Sequence, residues 1–170
     1  MYALINTVTY QTDNPPAEAS SEQFAALIVR APGYRGRFGL DAGHGLRLHI
    51  YLFDTVDALR SGLGTGPLHH LIEEHIRPHY ADPSERIAAG TARYVDLASV
   101  LTGMFVRLEL LPGDSEGALT QETGYLGHVT VAPTDGQPVI AAIYDLTQAT
   151  ASPATALRTW EGAVTVNDLR

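Results

Sequence analysis

Apolar and polar residues alternate along the chain at two spacings, and the spacing switches in a regular order. From Tyr2 to Tyr10 they alternate every second position, rich in β-branched and aromatic types, which predicts a strand. Asp13-Asn14-Pro15-Pro16 stops it, with Asn14 as a helix cap and a proline in the first turn. Phe24, Leu27 and Ile28 then share one helical face through about Arg30, and Ala31-Pro32-Gly33 ends that helix. A second strand is predicted from Tyr34 to Leu40, a hairpin loop from Asp41 to Gly45, and a third strand from Gly45 to Phe53. On that third strand Leu46, Leu48, Ile50 and Leu52 face one way and Arg47, His49, Tyr51 and Phe53 the other. Asp54 or Thr55 caps a helix that carries Val56, Leu59 and Leu63 inward. Gly62, Gly64 and Gly66 interrupt it as a flexible loop. A further helix from Pro67 aligns Leu68, Leu71, Ile72, His75, Ile76 and His79 in one stripe at 100° per residue, until Pro78 kinks or ends it. Ala92 to Leu97 predicts a fourth strand, so the order is β-α-β-β-α-β, the split ferredoxin-like unit.

The rest of the chain reads as a reduced copy. Strands are predicted at Met104–Leu111, His128–Ala132, Val139–Leu146 and Val164–Leu169, with Ser115–Gly124 too short and polar for a full first helix. Ser152-Pro153 starts a short helix to Trp160 that buries Ala156, Leu157 and Trp160. Letters repeat as well. Ile50-Tyr51 matches Ile143-Tyr144, Ala58-Leu59-Arg60 matches Ala156-Leu157-Arg158, and both closing strands end in Asp-Leu. Two units therefore divide the chain at 1–98 and 103–170, the second degenerate. Each sheet has helices on one face only, and two such sheets can cover each other's open faces. The expected fold is α+β: two ferredoxin-like units packed sheet to sheet within one chain.

Composition narrows what such a fold does. The 170 residues carry 11 Lys+Arg against 19 Asp+Glu, a net charge of −8, which argues against a nucleic-acid surface. No apolar run approaches the roughly 20 residues that span a bilayer. The N-terminus carries no secretory signal pattern, and a cytoplasmic location is expected. With no cysteine, disulfides, thiolate metal sites and cysteine nucleophiles are excluded. There is no Walker loop, no G-x-S-x-G elbow and no H-E-x-x-H.

The arrangement resembles the dimeric α+β barrel superfamily, and the first half is similar to its antibiotic-biosynthesis monooxygenase branch. The residues that carry the resemblance are Asn6 in the first strand, Pro32-Gly33-Tyr34-Arg35-Gly36 after the first helix, the hairpin strand leading into Asp54-Thr55-Val56-Asp57-Ala58-Leu59, and His70 and His75 near the second helix end. It covers Met1 to Leu97; the second half is similar in element order and its few shared residues. The resemblance implies an intramolecular version of the barrel that family members build from two copies. It also implies a cofactor-independent monooxygenase or cyclase acting on a small aromatic or polyketide-like molecule, or else a non-catalytic ligand-binding or structural pseudo-dimer. Haem-degrading members pair such an Asn with a Trp and a helical His. The first half has no Trp, so no haem and no other cofactor is expected. One small-molecule pocket is expected in the first unit, between sheet and helices, in a monomer or a homodimer of the fused chain.

Within that frame the catalytic candidates are His75, Asn6 and His70. His75 lies on the inner stripe as a proton-transfer group, or is a core histidine. Asn6 holds a substrate carbonyl or developing enolate, or is a satisfied core amide. His70 enters through the resemblance alone. Arg47, His49 and Tyr51 share a strand face and either line a polar pocket or form a network where the halves meet, the second reading being favoured. Tyr34 and Arg37 are candidates for an acidic aromatic ligand. His79, one turn from His75, is a candidate contact; a metal pair there lacks a third ligand. Trp160 is a core residue or a substrate platform. No metal site is expected.

Overall fold

The structure is a computed structural model that describes residues 1–95, 97–119, 121–148 and 155–169. The first half contains β1 (Tyr2–Thr9), α1 (Glu18–Ile28), β2 (Tyr34–Asp41), β3 (Leu46–Phe53), α2 (Val56–Gly64), α3 (Gly66–Leu71) and β4 (Glu85–Val95). After α3 the helix continues as a π turn over Ile72–Ile76 and a 3-10 turn over Arg77–His79. The second half contains β5 (Phe105–Pro112), a 3-10 turn, α4 (Glu116–Leu119), β6 (Tyr125–Ala132), β7 (Val139–Asp145) and β8 (Arg158–Asn167).

The eight strands close into one barrel in the order β1-β3-β2-β8-β5-β7-β6-β4, every pairing antiparallel. Within the first half the strands run β4-β1-β3-β2. Within the second they run β8-β5-β7-β6, the same order by rank. The halves meet at two seams, β2 with β8 and β4 with β6. The fold is therefore the α+β barrel expected from the sequence, with two ferredoxin-like sheets facing each other across a shared interior.

Alternation along the strands fills that interior. Ala3 and Ile5 of β1, Phe38 and Leu40 of β2, and Leu48, Ile50 and Leu52 of β3 meet Leu108, Val129, Val131, Ala141 and Ile143 from the other half in one cluster. Leu97 and Leu169, the closing leucines of the two halves, are both buried in it. Burying each such side chain contributes roughly 1.5–3 kcal/mol. Neither half-sheet leaves this face to water, which is why the barrel closes.

Each seam passes over a glycine. Gly90 on β4 lies next to the Thr91–Ala132 pair, and Gly162 on β8 lies next to the Ala163–Asp41 pair. A Cβ on Gly90 would overlap the Ala132 carbonyl oxygen, and one on Gly162 the Asp41 carbonyl oxygen. At both seams the facing strand's backbone comes close enough to exclude any side chain.

Several expectations are corrected. β4 starts at Glu85 rather than Ala92, and β6 at Tyr125 rather than His128. β8 runs from Arg158, so Trp160 lies in a strand opposite Leu108, not in a helix. Leu157 is exposed and Arg158 opens the strand, so the match of Ala156-Leu157-Arg158 with the helical Ala58-Leu59-Arg60 does not mark equivalent elements. Ser152-Pro153 lies outside the described residues. Asn14 does not cap α1; that helix begins at Glu18 with no side-chain cap. Thr55 does cap α2, its Oγ accepting from the Ala58 N–H at 3.1 Å. Gly62 is not loop but buried helix, where a Cβ would press on the Phe53 ring.

Candidate active site

The outer face of the first half-sheet carries the polar set. β1 presents Leu4, Asn6 and Val8; β3 presents Arg47, His49 and Tyr51; β2 presents Arg37. Register orders them in rows across the sheet. Asn6, His49 and Gly39 form one row, and Leu4, Tyr51 and Arg37 the next. Residues opposite each other in a row lie about 4.5–5.5 Å apart at Cβ, and diagonal neighbours about 7–8 Å. Helices α1, α2 and α3 and the π turn stand over this face without filling it. They leave a cavity of ≈ 1170 Å³ to which Phe24, Leu59, Leu63, Ile72 and Ile76 contribute apolar walls. The remainder includes Tyr10 and Tyr80, whose rings meet edge to face at 5.4 Å.

Inside it, the Asn6 side-chain oxygen, His49 Nδ1 and Arg37 Nε are buried without a hydrogen-bond partner. Such atoms cost folding free energy unless a ligand or water meets them. His49 stacks on Tyr51 at 5.6 Å between ring centroids. Gly39, opposite His49, keeps the cavity floor open; a Cβ there would come within 2.7 Å of Thr165 Oγ1 and 3.6 Å of His49 Nδ1. Burial, then the charges of Arg37 and Arg47, lower the His49 pKa to about 4, so its imidazole is neutral at pH 7. Burial also raises Tyr10 and Tyr51 above the ordinary phenol range, so both keep their protons. Arg47 pairs with Asp41.

The structure brings Asn6, Arg37, Arg47, His49 and Tyr51 into this one cavity and leaves His70, His75, His79, Tyr34 and Trp160 outside its lining. His75 is exposed on the π turn, and His70 is exposed beside it, their ring centroids 6.5 Å apart. The 100° stripe fails at this point. The π turn bonds i to i+5, so the phase slips after Leu71, keeping Ile76 buried while His75 swings outward. His79 Nδ1 lies 2.9 Å from the Asn14 carbonyl oxygen, which accepts from the Nδ1–H tautomer. Tyr34 donates its hydroxyl proton to Asp168, at 2.8 and 3.0 Å from the two carboxylate oxygens. Trp160 is a core residue of the barrel interior. Arg47, His49 and Tyr51 face the helices rather than the interior where the halves meet, so the favoured network reading is replaced by the pocket reading. Among the described residues no group of three or more acidic or histidine ligands could hold a metal ion. Among the described residues neither Trp160 nor His75 lines the cavity.

Sequence reasoning missed His69, which lines the cavity with its Nδ1 3.8 Å from Glu73. It also missed the Tyr10–Tyr80 pair, because Tyr80 follows Pro78 in a stretch with no periodic pattern. The pairing of Tyr10 with Tyr80 as an isolated bridge is what places both there.

On the second half the corresponding outer face is filled by side chains. Leu111, Leu119, Ile140, Ala142 and Tyr144 pack into one cluster, with Leu119 supplied by the short α4. His128, buried, sits on β6 against Tyr125, whose hydroxyl lies 2.6 Å from its Nδ1. Ala142 and His128 face each other across β7 and β6, as His49 and Gly39 do across β3 and β2.

No protein-family model matches the sequence, and no curated protein does. Solved structures match the fold over nearly its whole length. An anthrone oxidase-like protein superposes with a TM-score of 0.59 at 9% identity, covering 98% of this chain and 92% of that one. A candidate monooxygenase from Fusobacterium nucleatum subsp. nucleatum gives 0.55 at 10% identity, covering 96% and 91%. One from Lactobacillus acidophilus gives 0.51 at 10% identity, covering 99% and 95%. At such identities the likeness is one of fold, and it runs through both halves. No helix is long and apolar enough to cross a membrane among the described residues.

Proposed function

We propose that this chain is a cofactor-independent oxygenase of small aromatic, polyketide-type molecules with an acidic C–H flanked by carbonyl or phenol groups, built as a tandem fusion of two barrel units. The observation that carries the reading is the cavity over the first half-sheet. It combines aromatic and aliphatic walls with an unpartnered amide oxygen and an unpartnered neutral imidazole in one row. Its size suits a fused-ring ligand, lying at or above the upper end of ordinary ligand sites. The solved neighbours named for monooxygenase and anthrone oxidase chemistry support the same class.

In this reading His49, not His75, takes the proton. Free of charge, the imidazole is ready to accept. The cations of Arg37 and Arg47 that oppose a lone imidazolium favour the substrate anion formed in the same step. The Asn6 amide binds the carbonyl or enol whose charge grows. The carbanion gives its electrons to dissolved O2, and a C–O bond forms. His49 returns its proton to the peroxide. Loss of the second C–H proton with O–O cleavage leaves a carbonyl and one water, so CH2 plus O2 becomes C=O plus H2O. The walls keep bulk water from the carbanion.

An anthrone offered to the purified protein should consume O2 one for one, and 18O2 should deliver one labelled atom to the new carbonyl. His49→Gln should lower turnover by about 10²–10⁴-fold with the fold retained. His75→Ala should leave turnover unchanged. Full activity in His49→Gln, or loss of it in His75→Ala alone, ends this assignment.

A further inference from the structure

We infer that the cavity takes its aromatic ligand as a carboxylate and that Arg37 is the residue that grips it. This rests on the oxygenase reading for the location of the reacting carbon, and names a substrate class within it.

Charge is distributed unevenly on this molecule. The chain has no lysine, and its 11 cationic side chains are all arginine, against 19 acids. Four of those arginines, at 37, 47, 60 and 77, border the cavity, while among the described residues Glu73 is the one carboxylate that does. An acidic protein thus concentrates positive groups around a low-dielectric opening, which draws anions toward it.

The four are not equivalent. Arg47 pairs with Asp41, Arg60 lies 3.7 Å from Asp57, and Arg77 lies 2.8 Å from Glu73. The Nε of Arg37 is buried with no hydrogen-bond partner, and its side chain is only 14% exposed. The nearest carboxylate, Asp168, stands 4.0 Å away. Asp168 is already occupied, accepting from the Tyr34 hydroxyl and from the Arg37 backbone N–H. The guanidinium carbon lies 5.4 Å from the centroid of the Phe24 ring, which fixes the group over an aromatic wall. A held, poorly hydrated guanidinium lining the cavity fits a planar carboxylate, to which it can offer two parallel hydrogen bonds.

Register sets the distance from this anchor to the chemistry. Arg37 stands opposite Tyr51, and His49 stands opposite Gly39, two residues further along β2. Arg37 and His49 are therefore diagonal neighbours, about 7–8 Å apart at Cβ. The ligand carries its carboxylate roughly one ring width from the carbon that loses a proton, with the ring system lying along Tyr51 and Phe24.

Anthraquinone-2-carboxylate and its carboxamide, which do not react, provide a matched pair for titration calorimetry on the intact protein. The acid should bind about 10- to 100-fold more tightly, the range of one charge-assisted hydrogen bond. Arg37→Met should bring the acid to parity with the amide while amide affinity holds within about threefold, which also reports that the cavity is intact. Arg60→Met should preserve the preference. Equal binding of acid and amide by the unaltered protein, no binding of either, or a preference that survives Arg37→Met overturns the inference. The outcomes separate from those of the oxygenase test. Arg37-dependent acid binding without O2 uptake defeats the oxygenase and leaves this standing; oxidation of neutral anthrones with no acid preference does the reverse.

Discussion

At the scale of single residues, His49 stores a pH dependence that the two neighbouring arginines help to set. Its folded pKa of about 4 lies below the 6.5 of an unperturbed imidazole. Between those values the unfolded chain binds a proton that the folded protein refuses, so stability is full above pH 6.5 and falls as pH drops toward 4. The loss is on the order of 3 kcal/mol, and His49→Gln should flatten that part of a pH series of urea melts. The acid limb of kcat/KM should likewise fall near pH 4 rather than near 6.5, since kcat/KM reports the free protein. A limb at 6.5 would show an imidazole in open water. Asn6 and Arg37 were legible because a polar residue on a strand under helices must face something. His49 was legible only as one of two alternatives, since alternation tells which residues share a face and not which face is inside. His75 was misplaced by a helix whose hydrogen-bond period changes beneath it. Pro78 warned that the helix ends, but not that the turn before it widens.

At the scale of elements, strand order and the lost helix were legible from spacing, and strand ends were not. The first seven residues of β4, Glu85 to Thr91, are small, polar or charged apart from Ile87 and show no apolar period. They are strand because β1 on one side and, from Thr91 onward, β6 on the other supply partners. The first residues of β8, Arg158 to Trp160, were read as the end of a helix because Ser152-Pro153 resembles a helix start and three letters matched a helix elsewhere, yet β5 offers a ladder that only an extended chain can take up. The seam glycines are a consequence of the same pairing. Gly90→Ala and Gly162→Ala should each destabilise the protein by about 1–3 kcal/mol in urea unfolding, since backbone must move to make room. Gly117→Ala, which has nothing within 4 Å, should cost nothing measurable and serves as the control.

At the scale of the whole molecule, the two halves are joined covalently only through the stretch between β4 and β5, yet they share one core and two hydrogen-bonded seams. Asn167 ties that connection down from the far end of the chain, donating to the Leu97 and Val100 carbonyls at 2.9 and 2.8 Å. Residues 1–98 and 101–170 produced as separate polypeptides should therefore combine one to one and restore ligand binding, whereas either alone exposes a half-sheet's apolar face. Size-exclusion chromatography with fluorescence titration reads both. This mutual covering was legible in the sequence because helices were predicted for at most one face of each sheet. The second half's row equivalent to Asn6, His49 and Gly39 reads Glu109, Ala142 and His128, so Ala142 stands where the first half has His49.

A ring of strands with no first or last member has one more effect. Every strand has a hydrogen-bonded neighbour on each side over at least part of its length, so the sheet has no edge strand for a foreign strand to extend. Copies of this protein that meet in a crowded solution can touch through helices and loops, but they cannot zip together by extending the sheet. Resistance to fibril seeding is thus a property of its connectivity, independent of whatever the cavity holds.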